Sequence, residues 1–411
     1  MGWNWPWSNN NDIAYERDKG GNHWNFIGDG NTQWGNTERL ELAKSNPIAA
    51  ILIDFIAEKL GQVEWKIEDN ENYDNDPLIK LLNNPNYYQS KQDYLKQFYW
   101  YLVSHGFNYV LPLGSVGFNK SADSVTALYN LKGDCIEYHT DFRTPFVSTS
   151  QEIKQLEETK FKYKHGNKVH SFKVGEIIPF YDLGNGLDND FLLKSPSRLD
   201  AIKKPLVNIE RAYDAENIAI QSNGKELFIG ETSGDYAIGI KSDERNEILS
   251  KTNNNYGMGA GRSRAIVSNV IKDWKSLHIA LKDLAIQESI ASNGTVVANA
   301  LKVPSEIYEF LVNGSNKTFT NQEQARVAFI HQVVQPIADN IANSFISWFG
   351  YQNTPLRASF AHLPEMQIIE GMKADKVLKL SQAIRNLVQS GYSVESANQY
   401  LEDNGIEPLQ L

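Results

Sequence analysis

A long amphipathic helix is the feature of this sequence that most constrains its fold. A loop from Gly184 to Asp190 leads to Ser195 and Pro196, which suit the N-cap and the first position of a helix. Apolar residues then follow at spacings of three, four or seven: Leu199, Ile202, Leu206, Ile209, Tyr213 and Ile220. Asn223-Gly224 suits the C-cap. Such a narrow apolar stripe predicts packing of helix on helix, including packing between subunits.

Length and composition limit the class of protein. A chain of 411 residues exceeds one ordinary core, which predicts two to four domains, and 41% hydrophobic residues suffice for packed cores. Cys135 is the single cysteine, so neither an intrachain disulfide nor a thiolate zinc site is expected. No apolar run reaches the roughly 18 to 20 residues of a spanning helix. We therefore expect a chain that is soluble when made, with no membrane partner.

The net charge bears on nucleic-acid binding. At −10 it argues against tight, static binding of nucleic acid, which needs clustered Lys and Arg, but not against loose passage of DNA. Simple solubility explains the acidity equally well. The predicted Ser195 helix balances its charges, with Arg198, Lys203, Lys204 and Arg211 against Asp200, Glu210, Asp214 and Glu216. That helix is not expected to grip DNA.

The order of predicted elements gives an α+β fold. Helices over 47–60, near Pro77 and from Ser90 or Asp93 precede a series of strands between 107 and 180. A small α/β insertion, 223–278, separates the Ser195 helix from a second long helix over 276–292, which Asn293-Gly294 interrupts. A helix from Thr320 contains Pro336 and should kink there. A last long helix ends before Gly391.

No constellation for catalysis stands out. The glycines at 257, 259 and 261 follow an Asn-rich run instead of a strand, so a surface loop is favoured over a nucleotide site. Asp188 and Asp190 could hold a cation but lack the spaced ligands of a calcium loop. His165 and His170 are poorly spaced for a shared metal. We expect no enzyme activity, no cofactor and no metal site.

A co-linear series of short motifs resembles the portal proteins of tailed double-stranded DNA bacteriophages. The motifs are Asn46-Pro47-Ile48, Asp76-Pro77 through Asn83-Asn84-Pro85-Asn86, Ser104-His105-Gly106-Phe107-Asn108-Tyr109-Val110, Val303-Pro304, Thr320 to Gln324, Gln335-Pro336 and Ser390 to Ala397. Each is weak alone. Their shared order over residues 40 to 405 is what carries the resemblance.

The resemblance implies a portal fold with a mixed α/β wing, paired stem helices, a small α/β clip, a kinked long wing helix and a helical crown. The implied division follows in chain order: 1–36 flexible N-terminal arm, 37–194 wing, 195–222 stem helix, 223–275 clip, 276–298 stem helix, 299–320 tunnel loop region, 321–370 wing helix and strand, and 371–411 crown. The arm is either a flexible tail or is anchored on a neighbouring subunit by its tryptophans.

The resemblance also implies a function. Such a protein forms a homo-oligomeric ring, typically a dodecamer, at one capsid vertex of the virion, after synthesis in the host bacterial cytoplasm. Double-stranded DNA would pass through it without sequence preference during packaging and ejection. The terminase large subunit, head-completion or adaptor proteins, and the major capsid or scaffold protein would be its partners. The alternative is a structural protein of the capsid or tail without a DNA channel.

Two sets of residues carry these expectations. The tunnel loop would consist of Asn313, Gly314, Ser315, Asn316, Lys317 and Thr318. The stem interface between subunits would consist of Leu199, Ile202, Leu206, Ile209, Leu281 and Leu284.

Overall fold

The computed structural model describes residues 36–67, 73–114, 121–138, 149–184, 193–221, 285–313, 319–351 and 356–390. Several predictions lie outside these residues: the N-terminal arm, the clip, Asp188 and Asp190, the glycines at 257–261, Leu281, Leu284 and Gly314 to Thr318. By its internal contacts the chain divides into two units. One comprises 1–33 and 201–297, and the other comprises 34–200 and 298–411.

Helices and strands alternate irregularly along the chain, which confirms the α+β class. The helices are α1 (Asn36–Ser45), α2 (Pro47–Gly61), α3 (Pro77–Asn83), α4 (Lys91–His105), α5 (Ser150–Glu158), α6 (Arg198–Ala201), α7 (Lys203–Gln221), α8 (Ile286–Ala300), α9 (Ser305–Asn313), α10 (Phe319–Phe329), α11 (Gln335–Phe349) and α12 (Pro364–Gln389). The strands are β1 (Glu64–Ile67), β2 (Phe107–Gly114), β3 (Val125–Leu131), β4 (Ile136–Tyr138), β5 (Lys160–His165), β6 (Lys168–Lys173), β7 (Ile178–Tyr181) and β8 (Leu356–Ser359).

Three small antiparallel sheets form among the described residues of the larger unit. Their orders are β1-β8, β3-β2-β7 and β4-β5-β6. The β1-β8 pair places Trp65 opposite Ala358, nearly 300 residues later in the chain. The two segments that the resemblance assigns to the wing are therefore joined by backbone hydrogen bonds.

Side-chain caps explain where the early helices begin. The side chain of Asn46 accepts a hydrogen bond from the backbone N–H of Ala49 at 3.1 Å, and Pro47 follows at the first helical position. Asp76 and Pro77 repeat this arrangement, with Asp76 accepting from the N–H of Leu78 at 2.8 Å. Each cap satisfies one backbone donor that the helix leaves open, which stabilises the helix by about 1 kcal/mol.

Aromatic contacts connect distant parts of the chain in the core of the larger unit. The Phe180 ring of β7 lies 4.9 Å from Phe98 of α4 and 5.5 Å from Phe345 of α11, measured between ring centroids. All three side chains are buried. Because these residues come from distant parts of the sequence, their contacts hold α4, the sheet and the late helix α11 together.

The kink expected at Pro336 takes the form of a π-helical segment. The segment Ile330–Val334 joins α10 to α11, and the N–H of Gln335 donates to the carbonyl of Ile330 five residues earlier. Pro336 has no backbone N–H and cannot donate the regular helical hydrogen bond. The wider π turn next to it accommodates this missing donor. The two helices thus continue one path with a local irregularity.

The predicted Ser195 helix needs correction at its start. It is two elements, α6 and α7, which break at Ile202. Pro205 lies one turn further on and cannot donate to the carbonyl of Ala201, which explains the break. The cap is also different, because the hydroxyl of Ser197, and not that of Ser195, accepts from the N–H of Leu199 at 3.0 Å.

The late helices differ from expectation at three further points. Asn293-Gly294 does not interrupt the second stem helix but lies within α8, which continues to Ala300. The region 299–320 contains a regular helix, α9. Helix α12 is continuous from Pro364 to Gln389, so the proposed wing–crown boundary at 370/371 falls inside one helix.

Candidate functional site

The Ser195-Pro196-Ser197 segment, which leads into the Ser195 helix, is fixed against the end of α4. Gly106 follows that helix with a φ of 81°, a left-handed conformation that glycine adopts readily. A Cβ at Gly106 would lie 2.3 Å from the carbonyl oxygen of Ser195 and 2.5 Å from atoms of Pro196. Glycine is therefore required both by the backbone angle and by the close approach of the segment. We call Leu193 and Ser195–Asp200, with their contacts, the stem anchor.

Hydrogen bonds hold the stem anchor in place. The hydroxyl of Ser197 donates to the carbonyl of Val103 at 2.7 Å. The hydroxyl of Tyr109, in the middle of β2, donates to the carbonyl of Leu193. The N–H of Leu183 donates to the hydroxyl of Ser195 at 3.3 Å. Because Ser195 and Ser197 are buried, these bonds satisfy polar groups that would otherwise be costly.

A buried ion pair sits at the first turn of α6. Nε of Arg198 lies 2.6 Å from a carboxylate oxygen of Asp182, and the two side chains are 13% and 5% exposed. Burial raises the pKa of Asp182, while the positive charge of Arg198 acts in the opposite direction. A second pair, Arg39 with Asp200 at 2.7 Å, ties α1 to the same turn but is more exposed.

A histidine is buried beside this site. His105, the last residue of α4, is 1% exposed, and a Cβ at Gly133 would lie 2.8 Å from its ring. Burial lowers the pKa of His105 to about 4, with Asp134 acting to raise it and Lys132 and Arg39 acting to lower it. The imidazole is therefore neutral at pH 7 and serves as a packing group.

The stem interface is not available as predicted. Leu199, Ile202, Leu206 and Ile209 are each at most 3% exposed in the single chain, so this stripe is buried within the subunit. Leu281 and Leu284 lie outside the described residues. Within the smaller unit, the side chain of Gln287 on α8 donates to Glu216 on α7 at 3.3 Å, so the two predicted stem helices adjoin at this point.

The described ends of the tunnel loop are helical. Asn313 is the last residue of α9 and Phe319 is the first of α10, so residues 314–318 connect two helices. Among the described residues, no group of three or more His, Cys, Asp or Glu is placed to hold a metal ion. None of the helices described here is long and apolar enough to cross a membrane. His165 and His170 are exposed on a hairpin.

Sequence reasoning missed most of the stem anchor. Gly106 is the exception, because it lies in the Ser104 to Val110 motif and a glycine after a helix is a recognisable C-cap signal. Asp182 and Arg198 belong to different elements, and their pairing carries no sequence signal. The same holds for Tyr109 and Leu193, which are 84 residues apart.

Comparison with known proteins identifies the family. The family model for the phage portal protein matches residues 47–394. The chain belongs to this family. Portal family members are structural, non-enzymatic components of phage capsids, which agrees with the expectation of no enzyme activity. An uncharacterized protein of Rickettsia felis is 24% identical over 344 residues, covering 80% of this chain and 81% of that protein.

Solved structures share the portal fold. The neck of the empty gene transfer agent particle, computed with C6 symmetry, matches with a TM-score of 0.56 at 15% identity, covering 92% of this chain and 95% of that one. The native neck, computed with C12 symmetry, matches at 0.54 and 16%, covering 92% and 96%. An HK97 family phage portal protein from Corynebacterium diphtheriae matches at 0.52 and 12%, covering 81% and 100%. These matches confirm the fold class.

Proposed function

We propose that this portal family protein assembles into a ring at one vertex of a virion and that double-stranded DNA passes through the axial hole. This proposal rests on the portal family match over 47–394, together with a fold shared with neck proteins in C6 and C12 assemblies. A closed ring requires a heterologous interface whose rotation closes on itself, and a dodecamer is the expected size.

Within this ring, α7 and α8 serve as stem helices and 223–275 as the clip between them. The hydrogen bond between Gln287 and Glu216 supports the pairing of the helices. The stem anchor fixes the first turn of α6 through its contacts with Gly106, Tyr109 and Asp182.

The burial of the apolar stripe moves the proposed subunit contacts to other faces of the stem. Tyr213 on α7 is 39% exposed and Val296 on α8 is 45% exposed. Exposed apolar side chains on paired helices suit a neighbouring subunit. We assign the stem interface to the faces that carry these two residues.

Residues 314–318 serve as the tunnel loop. This assignment is supported by the helices on either side of the loop, since α9 ends at Asn313 and α10 begins at Phe319. The polar Gly-Ser-Asn-Lys-Thr sequence suits a segment that faces DNA without gripping it at fixed positions. The terminase large subunit and adaptor proteins would dock on the ring, and the capsid or scaffold protein would surround it.

A loop deletion tests the channel. Removing Gly314 to Lys317 should leave ring mass unchanged in light scattering, because both α9, which ends at Asn313, and α10, which begins at Phe319, are retained. Particles that contain the deletion should package or retain less DNA than particles with the intact chain. Removal of Asp69 to Asn72, a polar segment of equal length elsewhere in the chain, is the matched control and should leave DNA content unchanged. Normal DNA content in the loop deletion would remove the tunnel-loop assignment.

A further inference from the structure

The β5-β6 hairpin carries a concentration of positive charge in an acidic protein. Its fourteen residues, Lys160 to Lys173, contain five lysines and two histidines but no Asp or Glu, while the chain as a whole has a net charge of −10. Lys160, Lys164, Lys168 and Lys173 are exposed, and Lys162 is half-buried. Among the described residues, Lys164 alone of the five has an ion-pair partner, Glu137.

The register of the hairpin aligns four of the five lysines on one face, whereas Lys168, opposite His165, lies on the other face. Lys160 lies opposite Lys173, Lys162 opposite Ser171 and Lys164 opposite Val169. Alternate residues of a strand share a face about 7 Å apart, so three lysines of β5 form a row. Residues Gly166 and Asn167 make the turn, with Gly166 at a φ of 58°, as a type II′ turn requires at its first central position.

This charge arrangement costs stability in the isolated subunit. Like charges directly opposite each other on neighbouring strands are destabilising, and Lys160 and Lys173 are such a pair. Of the five lysines, only Lys164 is paired with a carboxylate within the described residues. Glu137 pairs with Lys164, the carboxylate of Glu176 accepts the backbone N–H of Lys173 at 2.8 Å, and Glu157 and Glu158 lie on α5 before the hairpin begins. A bound polyanion would offset the repulsion.

Protection of a sheet edge does not explain the lysines. Charged side chains on an edge strand prevent unwanted pairing with other chains, and β6 is an edge strand of the β4-β5-β6 sheet. However, three of the five lysines belong to β5, the central strand of that sheet. Their placement therefore fits a binding surface better than an edge guard.

The chemistry of the hairpin favours nucleic acid over an acidic protein. The hairpin has no arginine, the residue that forms bidentate contacts with carboxylates, and its lysines act as point charges. The opposite face carries stacked rings, Tyr163 with His165 at 6.4 Å and His170 with Phe172 at 6.2 Å between centroids. These rings lie on the face opposite the row of lysines, and Tyr163 and Phe172 pack against the buried cluster that contains Phe161, so phosphate contact is assigned to the lysines alone.

We propose that the β5-β6 hairpin binds the phosphodiester backbone of nucleic acid without sequence preference. This surface lies in the wing segment, outside the stem, clip and tunnel loop, so the proposal does not rest on the channel. Binding should be weak and sensitive to salt, because few phosphates are contacted and each contact releases counterions.

The experiment uses the purified full-length protein and a fluorescently labelled 30-base-pair duplex. Anisotropy gives the affinity between 50 and 200 mM salt for the protein and for the variant K160Q/K162Q/K164Q/K173Q, which removes the four lysines that share a face. The variant should bind at least about tenfold more weakly at low salt, and its log–log salt slope should be smaller by about 3 to 4, since four phosphate contacts are lost. Circular dichroism and light scattering record its folding and its ring mass.

The matched control is K44Q/K80Q/K154Q/K379Q, which removes the same charge at exposed lysines elsewhere. This control should change the affinity less than about threefold. The proposal is overturned if the intact protein does not bind duplex at 50 mM salt, or if the hairpin and control variants lose the same affinity. It is also overturned if polyglutamate of equal charge displaces the duplex as well as unlabelled duplex does, because the surface would then suit an acidic polypeptide.

Discussion

The carboxylate of Asp182 accepts a hydrogen bond from Arg198 at 2.6 Å, and this pair joins the end of β7 to the first turn of α6. Both side chains are almost completely buried. A pair of this kind stabilises little relative to apolar residues, but breaking it leaves a buried charge without compensation. The position of α6 thus depends on both partners being present.

Replacing Asp182 by alanine should lower the free energy of unfolding by about 3 to 5 kcal/mol, because the guanidinium of Arg198 stays buried without its partner. Denaturant unfolding of the purified protein measures the change. The apolar double variant Asp182→Leu/Arg198→Met should recover most of the loss. As a control, Glu137→Ala breaks an exposed pair with Lys164 and should cost less than about 1 kcal/mol. A loss below about 1 kcal/mol for Asp182→Ala would contradict this account.

Three glycines should respond differently to alanine. Gly106→Ala should destabilise the protein by more than about 3 kcal/mol, because the left-handed angle adds to a clash of the new Cβ with Ser195 and Pro196. Gly166 has a similar angle but open space around it, so Gly166→Ala should cost about 1 to 2 kcal/mol. Gly371 lies in α12 with open space, and its replacement should stabilise the protein by about 0.5 to 1 kcal/mol. Thermal unfolding ranks the three, and equal effects at Gly106 and Gly166 would exclude the close approach as the cause.

His105 should make stability depend on pH. Its pKa is about 4 in the folded protein and about 6.5 in the unfolded chain, so the unfolded chain binds more protons between these values. The stabilising contribution of neutral His105 to the free energy of unfolding should therefore be complete above pH 6.5. It should fall as the pH is lowered towards 4. The contribution of this one residue is about 3 kcal/mol at most.

The variant His105→Gln isolates this contribution, since the carboxyl groups of the protein titrate equally in both proteins. The difference in stability between the intact protein and the variant should shrink from pH 7 to pH 4. His170→Gln, at an exposed position, should show no such trend. A pH-independent difference for His105→Gln would mean that His105 does not titrate as its burial requires.

Assembly should depend on the exposed face of the stem helices and not on the buried stripe. Tyr213→Asp with Val296→Asp should give a folded subunit that does not form rings, because both changes place charge on exposed apolar positions. Ile202→Asp with Ile209→Asp should instead unfold the chain, because both side chains are buried in the single subunit. Light scattering and circular dichroism separate the two outcomes. Unchanged ring mass for the first pair would place the interface elsewhere.

Much of this fold could be predicted where local signals agree. Asn46-Pro47 and Asp76-Pro77 start helices because a capping side chain precedes a proline, and the alternation of Val63, Trp65 and Ile67 marks a strand. Strand β6 is hard to place from the sequence, because its residues are mostly exposed and no alternation of buried apolar side chains marks it. The break at Ile202 was missed because the apolar stripe continues through Pro205, and the stripe masks the lost hydrogen bond.

The site was less predictable than the fold. A narrow apolar stripe does not tell packing within a subunit from packing between subunits, because both bury the same side chains, and the structure shows that this stripe is buried within one chain. The stem anchor depends on pairs far apart in sequence, such as Tyr109 with Leu193. Contacts of this kind form only in the tertiary fold. The sequence around one partner does not indicate which residue is the other.

Negative-stain electron microscopy of the purified protein tests the central claim most directly. The account predicts ring-shaped particles with a central hole, and class averages with twelvefold symmetry. Light scattering of the same sample should give a mass close to twelve subunits of 46.5 kDa. Particles that stay monomeric at every protein concentration, or that form assemblies without a central hole, would contradict the portal ring and favour a structural protein of the capsid or tail without a channel.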